Sequence, residues 1–255
     1  MKANALTDLP LPPIEFRRLV GPTEAQFFDN PGSQLVFPDV KEEAYASVFD
    51  FGCGCGRLAR QLIQQRPRPE RYMGVDRHRG MIAWCQENLS PHAPAFEFQH
   101  HNVLHELLNP SGTPGHLPFP VADGEITLLI AWSVFTHLLE ADAAFYMQEL
   151  GRVLGPDGVA VTTWFLFDKG DFPMMQEFQN ALMFNTVDPT NAVIFDRAWF
   201  LKQAALAGLV ATRIVPPNIK GFQWTIHLEK HVEGRLSQEF PEDRAPRGIA
   251  RPPIG

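Results

Sequence analysis

An apolar strand that runs directly into three alternating glycines is the feature that most limits how this chain can fold. The apolar run 46–51 stops at Gly52, and Gly54 and Gly56 follow before a helical pattern begins at Arg57. Glycine adopts backbone angles that other residues avoid and lets a ligand approach the main chain closely. A strand, a glycine loop and a helix in this order predict a ligand site at the carboxyl end of the first strand of an open α/β sheet.

The spacing of the glycines discriminates between ligands. A dinucleotide-binding fingerprint has the spacing G-x-G-x-x-G, whereas here the third glycine comes one residue early and Arg57 occupies the expected position. No Gly-Lys-Ser/Thr phosphate loop is present. The pattern therefore favours a ligand other than a pyrophosphate. A plain tight turn is the structural alternative, although such a turn rarely needs three glycines.

Strand and helix patterns alternate along the rest of the chain. Strands are predicted at 46–51, 71–75, 96–100, 126–132, 159–165, 210–215 and 222–228. Helices are predicted at 57–65, 80–89, 139–154 and 196–206, the last capped by Asp196, and a turn at 155–158. This alternation predicts an α/β sandwich of three layers with a doubly wound, mostly parallel sheet.

The two ends and one long connection stand apart from this alternation. We expect a flexible arm at 1–14, a single domain at 15–233 with an apolar N-terminal cap at 15–45, and a tail at 234–255. The insert 168–195 is rich in Phe and Met, and Met175, Phe178 and Leu182 are expected to share one helical face. A connection of this length is typical of a lid, and a helix packed on the core is the alternative.

Composition excludes several classes of protein. The 255 residues carry a formal net charge of -7, which disfavours a nucleic-acid partner. Three cysteines do not make a disulfide framework, and the single residue between Cys53 and Cys55 is not a zinc spacing, so no metal is expected. No apolar run is long enough to span a membrane and no signal peptide is recognisable, so a cytoplasmic protein is expected.

An acidic residue follows the second predicted strand. Asp76 lies 24 residues beyond Gly52 and ends the sequence Tyr-Met-Gly-Val-Asp. A carboxylate at this position can accept hydrogen bonds from both hydroxyls of a ribose. Its alternative role is to cap the following helix.

Taken in order, these motifs resemble those of the class I S-adenosylmethionine-dependent methyltransferases. Asp50-x-Gly52-x-Gly54-x-Gly56 resembles the first motif of that family, and Asp76 resembles its acidic residue. The segments 130–138 and 149–158 resemble those that end the fourth strand and precede the fifth. The resemblance covers about residues 46–230 and implies a seven-stranded sheet that ends in an antiparallel hairpin.

The resemblance implies S-adenosyl-L-methionine as cofactor and S-adenosyl-L-homocysteine as product. The residues expected to contact the cofactor are Asp50, Gly52, Cys53, Gly54, Gly56, Asp76, Arg77, Asn102, Val103 and Ser133. Asn102 departs from the family, which commonly has an aspartate there to contact the adenine amino group. An amide oxygen can still accept that hydrogen bond.

The acceptor is expected to be a small molecule that offers a hydroxyl, as in a sugar, lipid or secondary metabolite, or an amine. His137, just past the fourth strand, is the candidate general base, and its alternative role is to brace the loop. Phe27, Met175 and Phe178 are expected to line the acceptor pocket. A methyltransferase fold that has lost catalysis and serves as a binding partner remains an alternative function, as does a nicotinamide-dependent oxidoreductase.

Overall fold

Nine buried or half-buried strands form the framework in the computed structural model, which describes residues 9–242 and 244. The chain divides into two units. The first comprises Met1–Ile130 with Val153–Val159, and the second comprises Ala131–Arg152 with Ala160–Gly255. The start of the predicted arm and the end of the predicted tail lie outside the described residues.

Four parallel strands follow the order β3-β2-β1-β4 in the first unit. They are β1 (Ser47–Phe51), β2 (Arg71–Asp76), β3 (Phe96–His100) and β4 (Ile126–Ala131), the last residue of which falls in the second unit. The helices are α1 (Ile14–Leu19), α2 (Arg57–Gln64) and α3 (Arg79–Asn88). Since Phe51 pairs with Val75, the glycine loop and Asp76 emerge at the same edge of the sheet.

The second unit is built around the long strand β5 (Leu154–Phe167), the first residues of which belong to the first unit. Its other elements are α4 (Glu140–Val153), β6 (Ala181–Met183), β7 (Val193–Asp196), α5 (Arg197–Leu206), β8 (Leu209–Val215) and β9 (Trp224–Lys230). β7 runs parallel to β5 and antiparallel to β6, whereas β8 and β9 form an antiparallel hairpin in which β9 also pairs with β5. Trp164 packs against Phe135, Phe195 and Phe200 in the core of this unit.

The predicted fold class is confirmed. The seven expected strands are β1 to β5, β8 and β9, and the last two form the expected C-terminal hairpin. The short strands β6 and β7 were not expected and bring the described strands to nine. Asp196 caps α5 as predicted, because its Oδ2 accepts a hydrogen bond from the Trp199 N–H at 3.0 Å. The single-domain organisation of 15–233 stays a prediction.

Two local predictions are wrong. The segment 155–158 is not a separate turn, because β5 begins at Leu154. A Cβ atom at Gly158 would lie 2.6 Å from the Ile126 carbonyl oxygen, so this glycine permits a close approach of two chains rather than a reversal. The insert 168–195 contains no α-helix but a 3-10 turn at Lys169–Asp171, two reverse turns and the β6–β7 hairpin.

None of the helices in the described part of the chain is both long and apolar enough to cross a membrane.

Candidate functional site

The glycine loop after β1 combines left-handed backbone angles at its three glycines with backbone hydrogen bonds to the end of β2. Gly52, Gly54 and Gly56 have φ values of 78°, 56° and 76°, in the left-handed region that other residues rarely adopt. The N–H groups of Gly52 and Cys53 both donate to the Val75 carbonyl, at 2.8 and 3.0 Å. The residues that follow β1 are therefore hydrogen-bonded to the end of β2 before α2 begins.

Two of these glycines also make room for other parts of the protein. A Cβ atom at Gly54 would lie 2.6 Å from Val20 Cγ1, and one at Gly56 would lie 2.6 Å from Leu89 Cδ1 and 3.0 Å from Cys85 Sγ. Both contacts are closer than side chains tolerate. α1 must therefore lie directly against the glycine loop, and the requirement for glycine comes partly from packing.

The N-terminal segment is fastened to α2 by a buried arginine. Arg60 of α2 is only 3% exposed, and its guanidinium donates to the carbonyl oxygens of Leu9, Pro10 and Phe28. Buried charges persist where they are fully hydrogen-bonded. Phe27, the predicted pocket residue of this segment, is 47% exposed.

Asp76 ties the loop to the start of α3. Its Oδ2 accepts from the Gly54 N–H at 2.9 Å and its Oδ1 accepts from the His78 N–H at 2.7 Å. Burial raises the pKa of this carboxyl above its ordinary value, against the lowering effect of these two hydrogen bonds. The residue stays partly exposed, and each carboxylate oxygen has a second lone pair. Asp76 can therefore brace the loop and still accept from a ligand.

Asp50 lies beneath the loop rather than at its surface. It is 1% exposed and accepts a hydrogen bond from the Tyr72 hydroxyl at 2.7 Å. Burial raises the pKa of this carboxyl to about 7, and the negative charge of Asp76 adds to the increase while Tyr72 and Arg57 oppose it. The direct partner of Asp50 is thus Tyr72, at the foot of the loop.

The three cysteines near the loop are buried free thiols. Burial raises the pKa of Cys53 and of Cys85 well above the ordinary thiol value, and that of Cys55 to about 12. Thiols in this state are neutral and poor nucleophiles at neutral pH. Among residues 9–242 and 244, no group of three or more His, Cys, Asp or Glu side chains is placed to hold a metal ion.

The remaining predicted cofactor residues of the first unit lie just after β2 and β3. The Arg77 carbonyl accepts from His100 Nε2 at 2.9 Å. Asn102 Oδ1 accepts from Asn109 Nδ2 at 3.1 Å, and that same amide donates to the Val103 carbonyl at 2.9 Å. The oxygen proposed for an adenine amino group is therefore already engaged in a loop contact.

Ser133 is the predicted cofactor residue of the second unit. It is one of two described non-glycine residues with positive φ, at 59°. Its N–H donates to Thr163 Oγ1 at 2.7 Å and its hydroxyl to Gln223 Oε1 at 3.0 Å. A non-glycine residue held in this region stores strain, which is common at functional sites.

His137 ends a short 3-10 turn, Phe135–His137, and is exposed. Its Nδ1 lies 2.9 Å from the carbonyl oxygen of Thr190, a residue of the insert. The structure thus places the candidate base against the loop of the insert that contains Thr190, while the role of His137 at the acceptor stays a prediction.

Met175 and Phe178 lie in the two reverse turns of the insert and not on a helix. Met175 N–H donates to the Phe172 carbonyl at 2.9 Å, and Gln179 N–H donates to the Gln176 carbonyl at 3.0 Å. Phe178 is 76% exposed. The predicted helical face shared by Met175, Phe178 and Leu182 is therefore wrong.

Three contacts escaped the sequence analysis: Val20 against Gly54, Arg60 on the N-terminal carbonyls, and Thr190 against His137. The first two join residues more than thirty positions apart, which no local pattern encodes. The third had a usable signal. The turn-forming residues Asn185, Asp188, Pro189 and Asn191 lie between two short apolar runs, which is typical of a hairpin.

Residues 48–158 match a family model described as a methyltransferase domain. This stretch is less than half of the chain. It runs from β1 to the start of β5 and includes the glycine loop, Asp76, Ser133 and His137.

Several solved structures have a similar fold. Geranyl diphosphate C-methyltransferase from Streptomyces coelicolor A3(2), in complex with Mg²⁺, geranyl diphosphate and S-adenosyl-L-homocysteine, is 14% identical. Its TM-score is 0.50, and the match covers 73% of this chain and 74% of that one. Likeness at this identity establishes the fold alone, which is that of the class I methyltransferases.

Two O-methyltransferases also match. NcsB1 from neocarzinostatin biosynthesis is 14% identical with a TM-score of 0.49, over 75% of this chain and 51% of its own. The mitomycin 7-O-methyltransferase MmcR is 15% identical with a TM-score of 0.49, over 73% of this chain and 49% of its own. The present chain therefore spans about half the length of these two proteins.

Proposed function

We propose that this chain, which carries a class I methyltransferase domain, transfers a methyl group from S-adenosyl-L-methionine to a small-molecule acceptor. The observation that carries the proposal is the glycine loop joined to Asp76, because Gly54 and Asp76 meet where β1 and β2 end. Open α/β sheets bind their ligands at this edge. A hydroxyl is the acceptor group that we favour, with an amine next.

Hydrogen-bond donors and acceptors near the loop that have no partner in the described part of the chain support the fit of this cofactor. Asp76 is partly exposed and can accept from the two ribose hydroxyls through its free lone pairs. Nε of Arg17, on the helix that covers the loop, is buried with no hydrogen-bond partner among the described residues. A guanidinium suits the carboxylate that this cofactor carries at its methionine end. The N-cap residue of α2 is Gly56, which has no side chain to cap the helix. The backbone N–H groups of the first turn of α2 are therefore available for the same carboxylate.

The cofactor, when bound, supplies a sulfonium methyl group that is open to in-line displacement. The work left to the chain is to orient the acceptor and exclude water. The N-terminal segment, with Phe27 exposed on it, and the insert, with Met175 and Phe178, are the apolar surfaces proposed for this task. His137 is proposed to take the proton from an acceptor hydroxyl.

Turnover tests the proposal directly. The purified chain is incubated with S-adenosylmethionine carrying a labelled methyl group and a panel of hydroxyl and amine acceptors, and labelled products are identified by mass spectrometry. We expect label on one acceptor class and stoichiometric S-adenosylhomocysteine. His137→Ala should lower turnover by about 10²–10⁴-fold with unchanged cofactor affinity. Cofactor binding without transfer to any acceptor would favour the catalytically inactive alternative. Binding of a nicotinamide dinucleotide in place of S-adenosylmethionine would overturn the proposal.

A further inference from the structure

The insert contacts His137 through a backbone carbonyl, which fixes what the ring can do. The Thr190 carbonyl oxygen lies 2.9 Å from His137 Nδ1. A carbonyl only accepts hydrogen bonds, so Nδ1 must be the donor and must carry a hydrogen. This holds for the neutral ring and for the imidazolium. The proton that His137 gains or loses is therefore the one on Nε2.

Nε2 of His137 has no hydrogen-bond partner among residues 9–242 and 244, and the side chain is exposed. In the neutral ring, this nitrogen presents a lone pair to whatever approaches. A general base needs this state, a free lone pair with the other nitrogen held by an orienting group.

The loop that supplies the carbonyl, residues 184–192, is internally braced. Asn185 Oδ1 accepts from the Val187 N–H at 2.9 Å, and Thr190 Oγ1 donates to Asp188 Oδ1 at 2.9 Å. Phe184 N–H donates to the Ala192 carbonyl at 3.0 Å and closes the loop at its base. These contacts brace the loop on both sides of the Thr190 peptide.

Residues on both sides of this loop are held next to His137. Asn180 Nδ2 donates to Glu140 Oε1 at 2.8 Å, just beyond the histidine. β7, the strand that follows the loop, packs against the turn Phe135–His137. The Thr190 contact is therefore one of several that join the insert to this turn within the second unit.

We propose that the loop 184–192 is a positioning element that keeps the His137 proton on Nδ1 and so presents Nε2 as the proton acceptor for an acceptor hydroxyl. This inference rests on the proposed function. In the step, the hydroxyl O–H bond breaks and its proton moves to Nε2. The oxygen electron pair forms the bond to the methyl carbon, and the carbon–sulfur bond breaks with its pair left on sulfur. The imidazolium then returns its proton to water.

Nitrogen NMR of the histidine rings tests the tautomer without any turnover. In the uniformly ¹⁵N-labelled full chain at a pH where the rings are neutral, His137 should show a protonated Nδ1 and an unprotonated Nε2. Loss of the signals in His137→Gln assigns them. His78 is an internal reference of the opposite kind, because its Nδ1 accepts from the Met81 N–H at 3.2 Å, so its proton belongs on Nε2. A wild-type His137 with its proton on Nε2 would overturn the inference.

A shortened loop tests whether the insert sets the tautomer. Replacing residues 185–191 by Asn-Gly preserves the Phe184–Ala192 pair with a two-residue hairpin turn and removes the Thr190 carbonyl. We expect the His137 proton to shift toward Nε2, kcat to fall, and affinity for S-adenosylhomocysteine to stay within twofold. Leu206→Ala, at an exposed position on α5 in the same unit, is the control and should behave as wild type. Unchanged tautomer and kcat in the shortened loop would contradict the inference.

The two proposals fail separately. No binding of S-adenosylhomocysteine in calorimetry would remove the proposed function and, with it, the proton-transfer role of Nε2. An active methyltransferase with the wrong tautomer would remove only the inference about the loop.

Discussion

The glycine loop and the insert are built in opposite ways. Around the loop, the N–H groups of three consecutive residues are hydrogen-bonded to the end of β2, and the carboxyl of Asp50 is almost fully buried. In the insert, Phe178, Phe184 and Val187 are 76%, 80% and 89% exposed, and most hydrogen bonds stay within a few residues. The loop cannot change without cost, whereas the insert can be altered or can adapt. The proposed function requires this contrast, because a shared cofactor needs a fixed site and a variable acceptor needs an adaptable one.

The largest effect on stability should come from Gly56→Val. The substitution forces a left-handed φ of 76° on a β-branched residue and drives its Cβ to 2.6 Å from Leu89 Cδ1. The expected loss in the free energy of unfolding is about 3–5 kcal/mol, measured by urea denaturation. Gly124→Val is the matched control in the same unit, because Gly124 also has a positive φ but no atom within 4 Å of the added Cβ. Equal losses in both variants would show that Gly56 is not closely packed.

The pH dependence of stability should report Asp50. Its folded-state pKa of about 7 exceeds the ordinary 3.8, so the folded carboxyl binds its proton more tightly than the unfolded one. The resulting stabilisation is complete below about pH 4 and is lost as the pH rises toward about 7. Asp50→Asn lacks this loss, so it should gain about 2–4 kcal/mol relative to wild type across that range. A difference that does not change with pH would mean that folding does not raise the pKa of Asp50.

Gly54 separates packing from ligand contact. Gly54→Ala should lower stability, because the new Cβ meets Val20 Cγ1. It should also lower affinity for S-adenosylhomocysteine, because the same Cβ takes up space that the ligand needs beside the loop. Adding Val20→Ala removes the protein side of the clash and should recover part of the stability. Affinity should stay low if the ligand also approaches this glycine. Full recovery of affinity in the double variant would limit the role of Gly54 to packing against α1.

The smallest effect on stability should come from the insert. Replacing Phe178 and Phe184 by serine removes exposed side chains and should change the free energy of unfolding by less than about 0.5 kcal/mol. The Michaelis constant for an apolar acceptor should nevertheless rise by about tenfold, since about 1.4 kcal/mol of lost contact gives that factor. Steady-state kinetics with calorimetric control of cofactor affinity measures both. Unchanged kinetics would exclude these two side chains from acceptor binding.

The same contrast explains what the sequence could predict. The predicted bounds of β1, α2, β2 and α3 agree with the structure within about one residue, because each is a short strand-like or amphipathic helical run bounded by glycine, proline or a capping residue. Local patterns of this kind are enough to predict where such strands and helices begin and end. The contacts of Val20 and Arg60 with distant residues depend on the finished fold and left no local signal.

The insert shows where periodicity misleads. Met175, Phe178 and Leu182 have helical spacing, but the chain there forms reverse turns because β6 pairs with β7 instead. Pro173 also lacks the N–H that a helix needs beyond its first turn. Spacing alone does not show that apolar side chains are buried, and Phe178 is not.

Calorimetric titration of the chain with S-adenosylhomocysteine tests the central claim most directly. Wild type should bind, and Asp76→Ala should bind at least tenfold more weakly, since each hydrogen bond to a charged group contributes about 1.5–3 kcal/mol. Asp76→Asn, which keeps one oxygen acceptor, should be intermediate. Glu97→Ala removes the same charge from an exposed position on β3 and should bind as wild type. Melting curves establish that each variant is folded. No binding by the folded wild type, or equal affinity in all four proteins, would contradict the account.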